Sequence, residues 1–237
     1  MLKNIEKNYS PNFKPKKRSK NNIKFIIIHY TGMSKEKDAL LRLTNIQSEV
    51  SSHYFIKKNG KITILVPELY VAWHAGKSKW KNYKFLNQNS IGIEISNPGH
   101  DFGYEKFNKK QIYSLVKLLK FLIKKFKIDP KNILGHSDIS PERKKDPGEK
   151  FPWKFLARKK LSYWHKIGDI NLKSLRNLKS TEKEKLSFLK NLQKIGYSCK
   201  NKVLITKAFQ RRFRQELING IIDKECIIIS KSLISVK

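Results

Sequence analysis

Five side chains in this sequence are of the types that metal-assisted hydrolysis needs, and they lie far apart along the chain. His29 closes the apolar run Phe25-Ile26-Ile27-Ile28, and His136 follows Ile133-Leu134-Gly135. Asp146 comes ten residues after His136, inside Lys144-Lys145-Asp146-Pro147-Gly148. Two imidazoles and one carboxylate are the protein ligands of an open zinc site, whose fourth position is left for water or substrate. Such an ion lowers the pKa of bound water to about 7 and polarises a carbonyl. Glu94 sits among apolar neighbours in Ile91-Gly92-Ile93-Glu94-Ile95. Beside the ion it could take a proton from water and return it to a leaving amine. Lys144 could hold a developing oxyanion. Each residue also has a plainer reading. A histidine at a strand end is commonly a hydrogen-bonded structural group, a glutamate in an apolar strand can face solvent, and lysines around Asp146 can form a solvated loop. No closely spaced zinc motif is present. The residues alone lead to a candidate metal hydrolase and no further.

Elements able to position these groups are visible around them. Residues 23–29 form a continuous apolar run, the pattern of a central strand buried on both faces. A polar residue at its end projects into the crevice beyond the carboxyl edge of a sheet, where ligands often bind in α/β folds. Residues 36–50 repeat their apolar positions at a helical period. Asn59-Gly60 between two alternating segments predicts a hairpin. Residues 90–96 read as a second strand, 108–126 as a long amphipathic helix, and 132–135 as a short last strand. Residues 137–153, rich in Pro, Gly and charge, read as a long loop. The pattern predicts an α/β domain with a central mixed sheet flanked by helices, and a small C-terminal three-helix unit. The expected division is an arm over 1–22, a catalytic domain over 23–165, a linker over 166–180 and the helical unit over 181–237.

Composition narrows the partners. The 237 residues carry 52 Lys+Arg against 19 Asp+Glu, a formal net charge of +33, with 39% hydrophobic and 11% aromatic residues. That is enough apolar material for a core. The charge fits a polyanion such as cell wall, anionic lipid or nucleic acid. A composition bias explains it equally well, because Lys, Asn and Ile are abundant throughout. No RNA-binding signature or zinc finger is present, and a nucleic-acid partner is not expected. No apolar run approaches the ~20 residues of a membrane-spanning helix. Met1 to Asn22 is polar and lacks the apolar stretch of a secretory signal. The expected compartment is therefore the cytoplasm, with the periplasm as the alternative. Two cysteines, Cys199 and Cys226, are too few for a disulfide framework.

Five blocks carry a resemblance: FIIIHYTGM (25–33), SSHYFIKKNGKI (51–62), AWHAGKSKW (72–80), SIGIEISNPG (90–99) and GHSDISPERKKDPGEKFPW (135–153). In order and spacing they resemble the zinc-dependent N-acetylmuramoyl-L-alanine amidases, the superfamily shared by bacterial and phage amidases and peptidoglycan recognition proteins. The resemblance implies a mixed sheet with a zinc cleft on one side and one Zn²⁺ per chain. It makes His29, His136 and Asp146 the ligands, Glu94 the general base and Lys144 the transition-state cation, with Lys145 the alternative. The recognition branch has Cys where Asp146 stands, so this chain looks closer to the bacterial recycling and wall-cleaving enzymes. His74, Trp73 and His53 fall at cleft positions and are expected to contact substrate. For His53 a structural hydrogen bond, and for Trp73 and Trp80 core packing, are the competing readings.

The second unit is similar to a three-helix peptidoglycan-binding domain through LQKIGY (192–197) and VLITKAFQRRFRQELINGIIDKE (203–225). Phe209 and Phe213 share a helix face and are expected in the core. Arg211, Arg212 and Arg214 either meet wall carboxylates or form a solvated basic face. The expected partner is peptidoglycan or a muropeptide, and the chain is taken as a monomer. A non-catalytic wall-binding protein on the same fold is the rival reading.

Overall fold

The structure is a computed structural model, and it describes residues 5–235. The first four residues of the expected arm and the last two of the C-terminal unit lie outside the described residues. The arm is held against the body: β1 (Glu6–Lys7) and β2 (Phe13–Lys14) both pair with later strands. The next strand, β3 (Phe25–Tyr30), has Ile26, Ile27 and Ile28 fully buried, so both its faces are covered and polar alternation is absent. Helix α1 (Glu36–Thr44) is shorter than the helical period suggests. Its run stops at Asn45, whose side chain accepts the Gln47 N–H and starts a separate short turn. The expected hairpin is β4 (Tyr54–Ile56) and β5 (Ile62–Ile64). Gly60 at its turn has φ +85°, and a Cβ there would lie 2.8 Å from the Lys110 carbonyl oxygen.

Strand β6 (Val71–Ala72) pairs with β2, and β7 (Lys79–Trp80) with β8 (Tyr83–Lys84). After β9 (Ser90–Ile95) comes α2 (Lys109–Phe126), started by a reciprocal cap between Asn108 and Gln111. Strand β10 (Ile133–Gly135) runs into the helical turn α3 (His136–Ile139), followed by α4 (Trp153–Arg158). The chain ends in α5 (Asp169–Leu175), α6 (Glu182–Ile195), α7 (Lys202–Phe213) and α8 (Lys224–Ser235). Among the described residues no helix is long and apolar enough to cross a membrane.

The main sheet has strand order β1-β5-β4-β9-β3-β10. It is mixed: β3 is parallel to β9 and β10, while β4 and β5 are antiparallel. Register pairs Phe25 with Ser90, Ile27 with Gly92 and His29 with Glu94, so these six share one face. The opposite face, with Ile26, Ile28, Ile91, Ile93 and Ile95, packs under Leu115, Leu118, Leu119 and Leu122 of α2.

The C-terminal helices cover the other side. Phe25, Ile27 and Leu134 of the sheet form one core with Phe188, Leu192, Phe209, Phe213 and Ile227. Residues 166–180, read as a linker with weak helical character, include α5, and the bundle rests directly on the sheet. The physical reason is that the residues of β3 and β10 on this face would otherwise be an uncovered apolar layer. Phe209 and Phe213 are core, as expected, and so is Trp80, 1% exposed, its ring edge-on to Tyr197. Arg212 and Arg214 are 2% and 3% exposed and are paired with Asp138 and Asp223, so neither is free to meet wall carboxylates.

Candidate metal centre and cleft

Both imidazoles and the carboxylate meet at the carboxyl ends of β3 and β10. His29 is the fifth residue of β3, and His136 begins α3 directly after β10. Asp146 returns across the top, anchored where its carbonyl accepts the Ser137 N–H. His29 Nδ1 lies 3.0 Å from His136 Nδ1 and 3.0 Å from Asp146 Oδ2, and His136 Nδ1 lies 3.2 Å from Asp146 Oδ2. All three residues are buried, and together they form a group able to hold a metal ion.

The hydrogen bonds behind the rings test whether an ion fits. His136 Nε2 faces the Ala75 carbonyl at 3.2 Å. A carbonyl only accepts, so Nε2 carries the hydrogen and, in the neutral ring, Nδ1 carries none. Three lone-pair atoms then face one point at mutual distances near 3 Å, an arrangement that is repulsive without a cation among them. Burial and then His136 push the His29 imidazole down to about 4, with Asp146 pulling the other way. Two ring nitrogens and one carboxylate oxygen are the donor set of an open zinc site.

The group opens into a cleft of about 470 Å³ lined also by Glu94, Lys144 and His74. Glu94 faces it because it is in register with His29 on the same sheet face. Its Oε2 is buried and has no hydrogen-bond partner among the described residues. Burial first, then the charge of Asp146, push Glu94 well above the usual carboxylate range, against the pull of Lys144 and Arg42. Lys144 and Lys145 both line the cleft, Lys144 half-buried and Lys145 exposed. Arg42 and Arg143 make the mouth basic.

The three expected substrate contacts separate. His74 lines the cleft, but the residue is 9% exposed and its ring is hydrogen-bonded to His29. His53 is fully buried: its Nδ1 accepts the Gly92 N–H at 3.0 Å and its Nε2 faces the Tyr70 carbonyl at 3.1 Å. It clamps β9 and does not reach the cleft, so the structural reading replaces substrate contact. Trp73 is half-buried and is not part of the cleft lining. Sequence reasoning missed Arg42, Arg143 and the polar groups behind the rings, Asn87 and Ser90. One signal was available: Gly92 inside an apolar strand, where a Cβ would sit 2.5 Å from the His74 ring.

Comparison with known proteins agrees with this geometry. The family profile described as N-acetylmuramoyl-L-alanine amidase matches residues 19–149. The chain is 36% identical over 230 residues to the N-acetylmuramoyl-L-alanine amidase AmiD of Escherichia coli (strain K12), covering 90% of this chain and 82% of that protein. Its fold is similar to that of E. coli AmiD in complex with the substrate anhydro-N-acetylmuramic acid-L-Ala-D-γ-Glu-L-Lys, with a TM-score of 0.80, 34% identity and coverage of 93% and 91%. It is also similar to AmpDh3 from Pseudomonas aeruginosa in complex with anhydromuramic pentapeptide, with a TM-score of 0.78, 29% identity and coverage of 92% of each chain. The likeness in fold thus extends over nearly the whole length of the chain. The chain belongs to the N-acetylmuramoyl-L-alanine amidase family.

Proposed function

We propose that this protein hydrolyses the amide between the lactyl group of N-acetylmuramic acid and the L-alanine of a stem peptide, with zinc held by His29, His136 and Asp146. The observation that carries this reading is the convergence of two imidazole nitrogens and one carboxylate oxygen, facing Glu94 across an open cleft. When bound there, zinc supplies Lewis-acid polarisation of the scissile carbonyl and makes water acidic enough to attack at neutral pH. Glu94 Oε2 has no competing partner among the described residues, so it is free to take a proton from the attacking water and pass it to the departing amine. Lys144, half-buried at the cleft, supplies positive charge where the carbonyl oxygen becomes negative. The basic mouth, with Arg42 and Arg143, suits an acidic stem peptide.

The two solved relatives in complex with anhydromuramyl peptides support a muropeptide substrate for this chain. Soluble anhydro-muropeptides in the cytoplasm and intact wall in the periplasm present the same bond. The test is to incubate the pure protein with each substrate and identify products by mass. Released stem peptide, lost on chelation and restored by zinc, is the expected result. No released peptide from either substrate, with or without zinc, would leave a non-catalytic wall-binding protein.

A further inference from the structure

We propose that the segment His74–Ala75, held by Asn87 and Ser90, sets the tautomer of both metal-facing imidazoles and so builds the donor set. This rests on the proposed metal centre and names the groups that position it.

The hydrogen bonds admit one consistent direction. The Ser90 hydroxyl lies 2.6 Å from the Leu86 carbonyl, which can only accept, so its single hydrogen points there. Ser90 Oγ then accepts from His74 Nε2 at 3.2 Å. His74, donating from Nε2, presents a bare Nδ1 to His29 Nε2 at 3.1 Å. His29 must donate from Nε2, which leaves its Nδ1 free of hydrogen toward His136 and Asp146. The adjacent residue does the same for the second ring, because the Ala75 carbonyl faces His136 Nε2 at 3.2 Å. One side chain and the next carbonyl therefore orient two ligands, one in β3 and one at the start of α3.

The segment is itself fixed. Asn87 Oδ1 accepts the backbone N–H of His74 at 3.1 Å and of Ala75 at 2.7 Å. Arg18, from the arm, holds the Asn87 carbonyl at 2.8 Å. Gly92 leaves the space that the His74 ring fills. Buried rings with assigned partners on both nitrogens have no freedom to exchange tautomers, and partners behind a ligand are known to govern metal affinity by about 10–100-fold.

The test uses zinc affinity measured by competition with a chromophoric chelator, and nitrogen NMR of the histidine rings in the metal-free protein. His74→Phe keeps a ring but removes the acceptor. It should weaken zinc about 10–100-fold and place hydrogen on His29 Nδ1 in part of the molecules. His74→Asn returns an acceptor near the position of Nδ1 and should recover affinity to within several-fold of wild type. Ser90→Ala removes one hydroxyl with little risk to folding and should shift the same His29 resonances. Wild-type affinity in His74→Phe, or equal losses in the Phe and Asn variants, would overturn the proposal. So would unmoved His29 resonances in Ser90→Ala. His29→Ala separates the two readings. If the wild type binds no zinc, or His29→Ala binds as tightly, the metal centre itself fails. If only the His74 and Ser90 effects are missing, the positioning role alone fails.

Discussion

Arg212 of α7 and Asp138 of α3 form a buried ion pair that ties the helical bundle to the turn carrying His136. Arg212 also donates to the Ile133 carbonyl at 2.9 Å and lies over the Trp153 ring. Asp138 Oδ2 accepts the Gly135 N–H at 2.8 Å, and its Oδ1 accepts the Tyr197 hydroxyl at 2.6 Å. The backbone leading into His136 therefore depends on a residue from the far end of the chain.

Replacing Arg212 with Met should expose that dependence. It leaves the Asp138 carboxylate buried without its cation, a change that typically costs about 3–5 kcal/mol. Urea unfolding of the metal-free protein reads it directly. A loss below about 1 kcal/mol would show that the pair contributes little to holding the bundle on the sheet.

Glu94→Gln keeps the shape of the side chain and removes its capacity to accept a proton. Turnover of muropeptide should fall by about 10²–10⁴-fold, while the zinc content measured by atomic absorption stays at the wild-type level. Near-normal cleavage by this variant would remove Glu94 from the proton path.

Asp146→Asn removes the charge shared between His29 and His136. Changes behind a ligand alone cost roughly 10–100-fold in affinity, so losing the carboxylate itself should exceed that range. Equilibrium dialysis against zinc buffers measures it. Retained tight binding would mean that the ion sits elsewhere.

His53 predicts a pH dependence of stability. Burial first, and the Arg18 charge second, push its imidazole from 6.5 down to about 3. Below pH 6.5 the unfolded chain takes up a proton that the folded ring refuses. The stabilisation is therefore complete above pH 6.5 and is lost as pH falls toward 3, at up to about 1.4 kcal/mol per unit. Urea unfolding at pH 7.5 and 5.0 should show a stability drop smaller by roughly 2 kcal/mol in His53→Gln than in wild type. Equal drops in the two proteins would show that another group carries the acid sensitivity.

Much of the site is legible in the sequence, for a local reason. The β3 run Phe25 to Ile28 has no polar alternation, so it had to be a strand covered on both faces with His29 at its open end. The Asn59-Gly60 turn and α2 follow from spacings within a few residues. The five similar blocks brought His29, Glu94, His136 and Asp146 together as a set. The rest depends on pairs distant in sequence, which periodicity does not encode. Strand register places Glu94 beside His29. The role of His74 follows from the direction of hydrogen bonds between buried groups on three elements, and those directions exist only once Ser90 and Leu86 are next to it. The basic residues of α7 look alike along the helix, yet Arg212 is sealed against Asp138, 74 residues away, because the apolar sheet face beneath the bundle draws that side of the helix inward.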